Sequence, residues 1–126
     1  MAVAALGDIL DGAFEVLEIG AGPGTLTIPL SARVKRILAL EISGMAVEYL
    51  EKYIKEREIE NVEILEMDWL EADNQVIESR FDLVVCSHFL WQVKELEEHL
   101  KRMERASKRY CMLVKIHSHC DDRIHD

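Results

Sequence analysis

The sequence predicts an α/β fold: a doubly wound, mostly parallel sheet of five strands in the order 3-2-1-4-5, with helices on both faces. Three observations carry this. Short runs rich in Val, Ile, Leu and Phe alternate with stretches of helical periodicity, the pattern of strands joined by crossover helices. The run RILAL is apolar enough to be an internal strand. A glycine cluster ends the first strand-like run, where the chain must turn sharply into a helix. Right-handed crossovers, with a switch point after the first strand, then fix the order.

The elements follow in turn. Residues 3–11 are expected to form a short leading helix. Residues 14–19 (FEVLEI) are the first strand, stopped by Gly20, Gly22 and Gly24. A helix is expected over 25–34, with Pro29 tolerated near its first turn. Residues 36–40 (RILAL) are the second strand. Ser43 is a good N-cap for a helix whose apolar positions Ala46, Tyr49, Leu50, Tyr53 and Ile54 recur at helical spacing. Asn61 turns the chain into a third strand over 62–66, and residues 71–80 hold at most one weak helical turn. Residues 81–87 (FDLVVCS) are a central fourth strand. A helix over 93–106 points Val93, Leu96, Leu100 and Met103 inward, and residues 110–116 (YCMLVKI) are a fifth strand. The polar tail HSHCDDRIHD is expected to fray.

A length of 126 residues holds one domain, spanning 1–126 with its core over 14–116. Fifteen Lys and Arg against 24 Asp and Glu give a net charge of −9. So acidic a surface repels phosphate backbones, so neither nucleic acid nor a membrane is expected as a partner. No apolar stretch approaches the ~20 residues of a membrane span. The apolar start MAVAALGDIL lacks the preceding Lys or Arg of a secretory signal. Cys86, Cys111 and Cys120 have no CxxC spacing, which argues against disulfides and a zinc knuckle and for a cytoplasmic setting. The tail residues His117, His119, Cys120, Asp121, Asp122, His125 and Asp126 are metal-capable but match no zinc spacing, so no metal is expected.

The segment VLEIGAGPGTLT is the most informative part of the chain. Its spacing is GxGxG with Thr25 following, not the dinucleotide fingerprint GxGxxG, and the absence of GK[ST] excludes a P-loop. Glu18, just before the loop, would repel a pyrophosphate but suits a ligand carrying ammonium and sulfonium groups. A tight turn without a ligand is the plain alternative. Glu41 ends the second strand 21 residues beyond Gly20, a spacing that suits an acceptor of both hydroxyls of a ribose. Taken alone it is a charge leading into a helix.

VLEIGAGPGTLT, the acid in LALEIS, the pair in EMDWLE and the strand FDLVVCSHFLW resemble motifs I to IV of the class I S-adenosylmethionine-dependent methyltransferases, over about residues 14–116. The resemblance implies a Rossmann-like core and S-adenosylmethionine as cofactor. It assigns Glu18, Gly20 and Gly22 to the methionine end, with Ala21 and Gly24 completing the loop. Glu41 takes the ribose hydroxyls, with Ile42 beside it. Asp68 accepts from the adenine amino group, Trp69 supplies a backbone N–H and an apolar wall, and Ser87 closes the site. The plain alternatives are a loop cap for Asp68 and a buried edge residue for Trp69.

The chain departs from the family in two ways. The usual strands 6 and 7 do not follow the fifth strand, which leaves an apolar edge and suggests a homodimer or a partner subunit through it. Motif IV holds Cys86, Ser87, His88 and Phe89 instead of the Asn/Asp-Pro-Pro-aromatic run of enzymes that methylate base amines. With the acidic charge, this points to a small-molecule acceptor, with His88 the candidate base for an acceptor hydroxyl or thiol. The rivals are a cofactor-binding regulatory or partner subunit without chemistry of its own, and a nucleotide-binding oxidoreductase, which Glu18 and Thr25 disfavour.

Overall fold

The computed structural model describes residues 9–71, 80–87 and 93–114. Strands β1 (Glu15–Ile19), β2 (Arg36–Glu41), β3 (Val62–Glu66), β4 (Phe81–Ser87) and β5 (Ser107–Val114) form one sheet. Its order is β3-β2-β1-β4-β5, and every pair is parallel, as the alternating pattern predicts. Helices α1 (Thr27–Ser31), α2 (Gly44–Glu56) and α3 (Val93–Ala106) connect the strands, with a 3₁₀ turn at Trp69–Glu71. None of these helices is long and apolar enough to cross a membrane. The leading helix over 3–11 falls mostly outside the described residues, as do the stretch between Glu71 and Arg80 and the tail.

Because successive strand residues point to opposite faces, the central strands carry two cores. Val16, Ile37, Ala39, Leu83 and Val85 face one layer with Leu26, Leu30 and Leu50, beneath α1 and α2. Leu17, Ile19, Leu38, Leu40, Val84 and Cys86 face the other with Trp69 and with Met103 and Ala106 of α3. Strands buried on both faces have no room for alternation, which is why they read as continuous apolar runs.

Two boundaries differ from expectation. Helix α1 is five residues instead of ten, with Pro29 at its third position. It stops at Ser31 because the chain must return at once to the sheet: Val34 enters the core, and the amides of Lys35 and Arg36 donate to Phe14 O at 2.9 and 3.3 Å. Strand β5 begins three residues earlier than its apolar run, at Ser107, directly after α3. Its first residues are polar, and Asp82 on the neighbouring strand holds them. One carboxylate oxygen of Asp82 accepts from the Glu15 amide at 2.9 Å. The other lies 3.7 and 3.6 Å from the Lys108 ammonium and the Arg109 guanidinium. Between Phe81 and Leu83 the register slips by one residue, so the extra residue of β5 is absorbed where these ion pairs form.

Asp82 is therefore expected to matter through the amide it satisfies more than through the exposed cations, whose pairs contribute little. Asp82→Ala should lower the unfolding free energy by about 1–2 kcal/mol, the cost of a partly buried N–H left without its partner. Lys108→Ala should change it by less than about 1 kcal/mol. Urea unfolding of the two variants checks the order; equal losses would put the weight on the ion pairs.

Candidate functional site

The carboxyl ends of β1, β2 and β3 bring together most of the residues that the motifs single out. The glycine loop after β1 is tied to β2 throughout. The Gly20 and Ala21 amides donate to Leu40 O at 2.8 and 3.2 Å, Gly22 donates to Glu41 Oε1 at 2.7 Å, and Gly24 donates to Ala21 O at 3.2 Å. These four amides are used inside the protein, so they do not form the cradle of free N–H groups that holds a phosphate. The loop's glycines are not equivalent. Gly22 has φ +59° and a Cβ there would meet nothing within 4 Å. At Gly24 (φ +100°) a Cβ would sit 2.7 Å from Leu50 Cδ1, so this glycine serves the packing of the loop on α2 and not ligand space. The Ala21 side chain is likewise buried in the first core.

Two carboxylates flank the loop. Glu41 accepts from Gly22 N with Oε1 and from Ser43 N with Oε2 at 2.9 Å. An ionised carboxylate has about four acceptor sites, so two remain for hydroxyl groups of a ligand. Ser43 in turn caps α2 by accepting from the Ala46 amide, as its sequence position predicts. Glu18 is fully buried; Thr27 Oγ1 donates to its Oε1 at 2.5 Å, while its Oε2 has no hydrogen-bond partner. Burial pushes its carboxyl up to about 7; the Thr27 hydroxyl pulls it down and the neighbouring Glu41 charge pushes it further up. Positive charge arriving beside a carboxyl so placed would favour its ionised form.

Beyond β3, Asp68 Oδ1 accepts from the Leu70 amide at 3.0 Å, so Asp68 does cap its own loop. Trp69 is buried in the second core, and its Nε1–H donates to His99 Nδ1 at 3.0 Å. Arg102 donates to Trp69 O at 3.2 Å and stacks over the indole, 4.8 Å from the ring centre. A cleft of about 700 Å³ opens here between Asp68, Trp69 and Leu70 on one side and His99, Arg102 and Arg105 of α3 on the other. Ile42, directly after β2, is an apolar side chain 66% exposed. Ser87 ends β4, paired with Val114, while His88 and Phe89 lie outside the described residues. The thiols of Cys86 and Cys111 are pushed up to about 12 and about 11, chiefly by burial, so they stay protonated at neutral pH and do not act as nucleophiles. Among the described residues no group of acids, His and Cys is arranged to hold a metal.

Thr27, His99 and Arg102 escape the sequence reading. For His99 a signal exists: it falls at helical spacing with Met103 and Ala106, both buried, and so belongs to the inward stripe of α3.

The sequence model of the methyltransferase domain family matches residues 16–109. The chain belongs to this family. It is similar to the protein named probable ribosomal RNA small subunit methyltransferase A of Methanopyrus kandleri, with 45% identity over 79% of this chain and 41% of that one. The ribosomal RNA small subunit methyltransferase A of Koribacter versatilis is 44% identical over 56% of this chain and 24% of its own length. The chain thus spans between a quarter and two-fifths of the length of the curated relatives it matches. Among solved structures, a dimethyladenosine transferase from Plasmodium falciparum superposes with a TM-score of 0.71 at 19% identity, over 90% of this chain and 38% of that one. At that identity the likeness concerns the fold.

These relatives overturn the expectation of a small-molecule acceptor and of no nucleic-acid partner, since they are ribosomal RNA methyltransferases. The physical error lies in the use of net charge. A total of −9 is a sum over the chain, whereas contact with a phosphate backbone depends on charges within a screening length of about 8–10 Å. Lys101, Arg102 and Arg105 line the cleft with Asp68 and Glu98, so three cations stand there against two acids despite that total.

Two outcomes test the geometry. Gly24→Ala should cost about 2 kcal/mol or more, from overpacking against Leu50 on top of a left-handed backbone. Gly22→Ala carries the backbone cost alone, about 1 kcal/mol. Denaturant unfolding ranks the two, and equal losses would mean the loop has no open side. For Glu18, the carboxyl rises from an ordinary 4.5 to about 7 in the fold. Between those values the folded protein holds a proton that the unfolded chain has released, so stability falls as pH rises through this window. Above it the penalty is complete, at about 3 kcal/mol. Glu18→Gln should remove that slope, so its advantage over the wild type grows from pH 5 to pH 7.5 and then levels off. Parallel pH profiles for both proteins would show that Glu18 ionises as if exposed.

Proposed function

We propose that this domain binds S-adenosylmethionine at the carboxyl ends of β1, β2 and β3, and that the protein methylates small-subunit ribosomal RNA. The observation that carries the cofactor assignment is Glu18: a fully buried carboxyl with an unpartnered oxygen, under a glycine loop whose Gly22 faces open space. That arrangement fits a ligand that brings positive charge and approaches the backbone closely, and a pyrophosphate does neither. Glu18, Gly20 and Gly22 hold the methionine end, with Ala21 and Gly24 shaping the loop from its core side. Glu41 uses its remaining acceptor sites on the ribose, and Ile42 covers one face of the adenine. Asp68, the Trp69 amide and Ser87 complete the enclosure.

When bound, the cofactor supplies a methyl group on a sulfonium, already activated for displacement. What the protein adds is position and exclusion of water, since such a displacement needs little acid–base help. His88, next in sequence after β4, is the candidate to take a proton from the acceptor. The RNA assignment is supported by the relatives' names and by the cations beside the cleft, and a cytoplasmic setting goes with it. One observation favours a second reading. The run after Val85 is Cys86-Ser87-His88-Phe89, without the Asn/Asp-Pro-Pro-aromatic sequence suited to a base amine. On that reading the domain binds the cofactor and leaves the chemistry to another chain.

Calorimetry with S-adenosylhomocysteine and with NAD, followed by transfer of labelled methyl to small ribosomal subunits, separates these. The expected result is binding of S-adenosylhomocysteine but not NAD, a ten- to hundredfold loss in Glu41→Ala, equivalent to about 1.5–3 kcal/mol, and label in the RNA. Binding without label selects the second reading. No binding of S-adenosylhomocysteine overturns both.

A further inference from the structure

The Asp68–Trp69 turn sits on the chain in a way that its own residues do not explain. A single 3₁₀ turn has few internal hydrogen bonds: here the Leu70 amide bonds Asp68 Oδ1 and the Glu71 amide bonds Asp68 O. Nothing in those two bonds fixes where the turn stands relative to the strand ends. The Met67 amide just before it donates to Glu41 O at 3.0 Å and ties its entrance to β2; the turn itself is held from α3, whose His99 and Arg102 are three residues apart and so share a helix face. His99 Nδ1 accepts from the indole Nε1–H at 3.0 Å, with both side chains buried. Arg102 takes the other side, donating to the Trp69 carbonyl and stacking on the ring.

We propose that His99 and Arg102 are positioning residues for the adenosine end of the cofactor, holding the Asp68–Trp69 turn at the wall of the cleft. This rests on the cofactor assignment above. The indole N–H is a donor with no alternative role, so a partner that accepts from it sets the ring's rotation as well as its depth. The carbonyl that Arg102 holds belongs to the peptide that follows Trp69, so the guanidinium orients the turn's backbone. The groups assigned to the ligand, Asp68 and the Trp69 amide, are thereby held by α3 from the other side of the cleft. Loops that place binding groups to within about half an ångström need such support from a packed element.

Dissociation constants for S-adenosylhomocysteine and for adenosine, measured by calorimetry on the wild type, His99→Leu, His99→Gln and Arg102→Met, test this. His99→Leu leaves the indole N–H without its acceptor and should weaken both ligands by about the same tenfold factor. In His99→Gln the side-chain Oε1 can accept from the indole, so both affinities should return towards the wild type. Arg102→Met keeps the stem and should weaken both ligands by about threefold. Wild-type affinity in His99→Leu overturns the proposal, and so does equal weakening in the Leu and Gln variants, which would make His99 packing and not an acceptor. If the ratio of the two dissociation constants changes, the effect reaches the methionine end and the assignment to adenosine is wrong. Should His99→Leu fail to fold, Arg102→Met decides: unchanged affinity there overturns the proposal. A wild type that binds neither ligand removes the cofactor assignment itself, a failure visible before any variant is made.

Discussion

The carboxylate of Glu41 joins the parts of the site that the sheet alone leaves separate. It stands at the end of β2 and accepts from Gly22 in one connection and from Ser43 in another. Both donors sit in partly buried turns, where an amide without a partner costs about 1–3 kcal/mol. The same residue therefore fixes the shape of the glycine loop and the start of α2, and turns the loop's amides towards β2. What the loop then presents outward is bare backbone at Gly22 and no array of donors. A loop of identical sequence that released those amides would read as an anion site; this one does not.

The second carboxyl follows from the first. Glu18 lies on the α1 face of β1 with the fixed charge of Glu41 near it, and it is fully buried. Burial is the main cause of its raised carboxyl, and the Glu41 charge adds to it. The Thr27 hydroxyl satisfies one oxygen and leaves the other without a hydrogen-bond partner. The burial of Glu18 is unfavourable to the fold, and the proposed binding of a cationic ligand would offset that cost.

The parallel order of the sheet is legible in the sequence because strands buried on both sides leave an unbroken apolar signature, and FDLVVCS and RILAL show it. The edges are less legible for the opposite reason. The start of β5 is Ser107-Lys108-Arg109, which reads as a charged loop until Asp82, far away in sequence, supplies the partners that hold it in the strand. Likewise the length of α1 is set by the return of Val34 to the core and not by any local propensity of residues 25–34. At the site, Glu18, Gly22 and Glu41 stand out by type and spacing, since each is unusual where it occurs. Gly24 matches the motif equally well, yet a Cβ there would collide with Leu50; only the packing tells a glycine kept for a neighbour from one with open space beside it.

The support behind Trp69 illustrates what a one-dimensional reading cannot rank. Asp68 and Trp69 are adjacent and conspicuous, whereas His99 and Arg102 stand thirty or more positions later in a helix crowded with charge. Arg102 reads as part of the outward charged face with Glu97, Glu98 and Lys101, and His99, although at the spacing of the inward stripe, is polar and so is easily passed over. The helix instead buries His99 because an indole N–H on the facing turn needs an acceptor, and a buried polar group is stable only as a matched pair. The pairing puts α3, which leads directly into β5, in contact with the turn after β3. Two strands that are not neighbours in the sheet are thereby linked across its second face, through Trp69, His99 and Met103 of one core. The geometry of the candidate adenosine end is for this reason a property of that core, and a change in how α3 packs is transmitted to it directly.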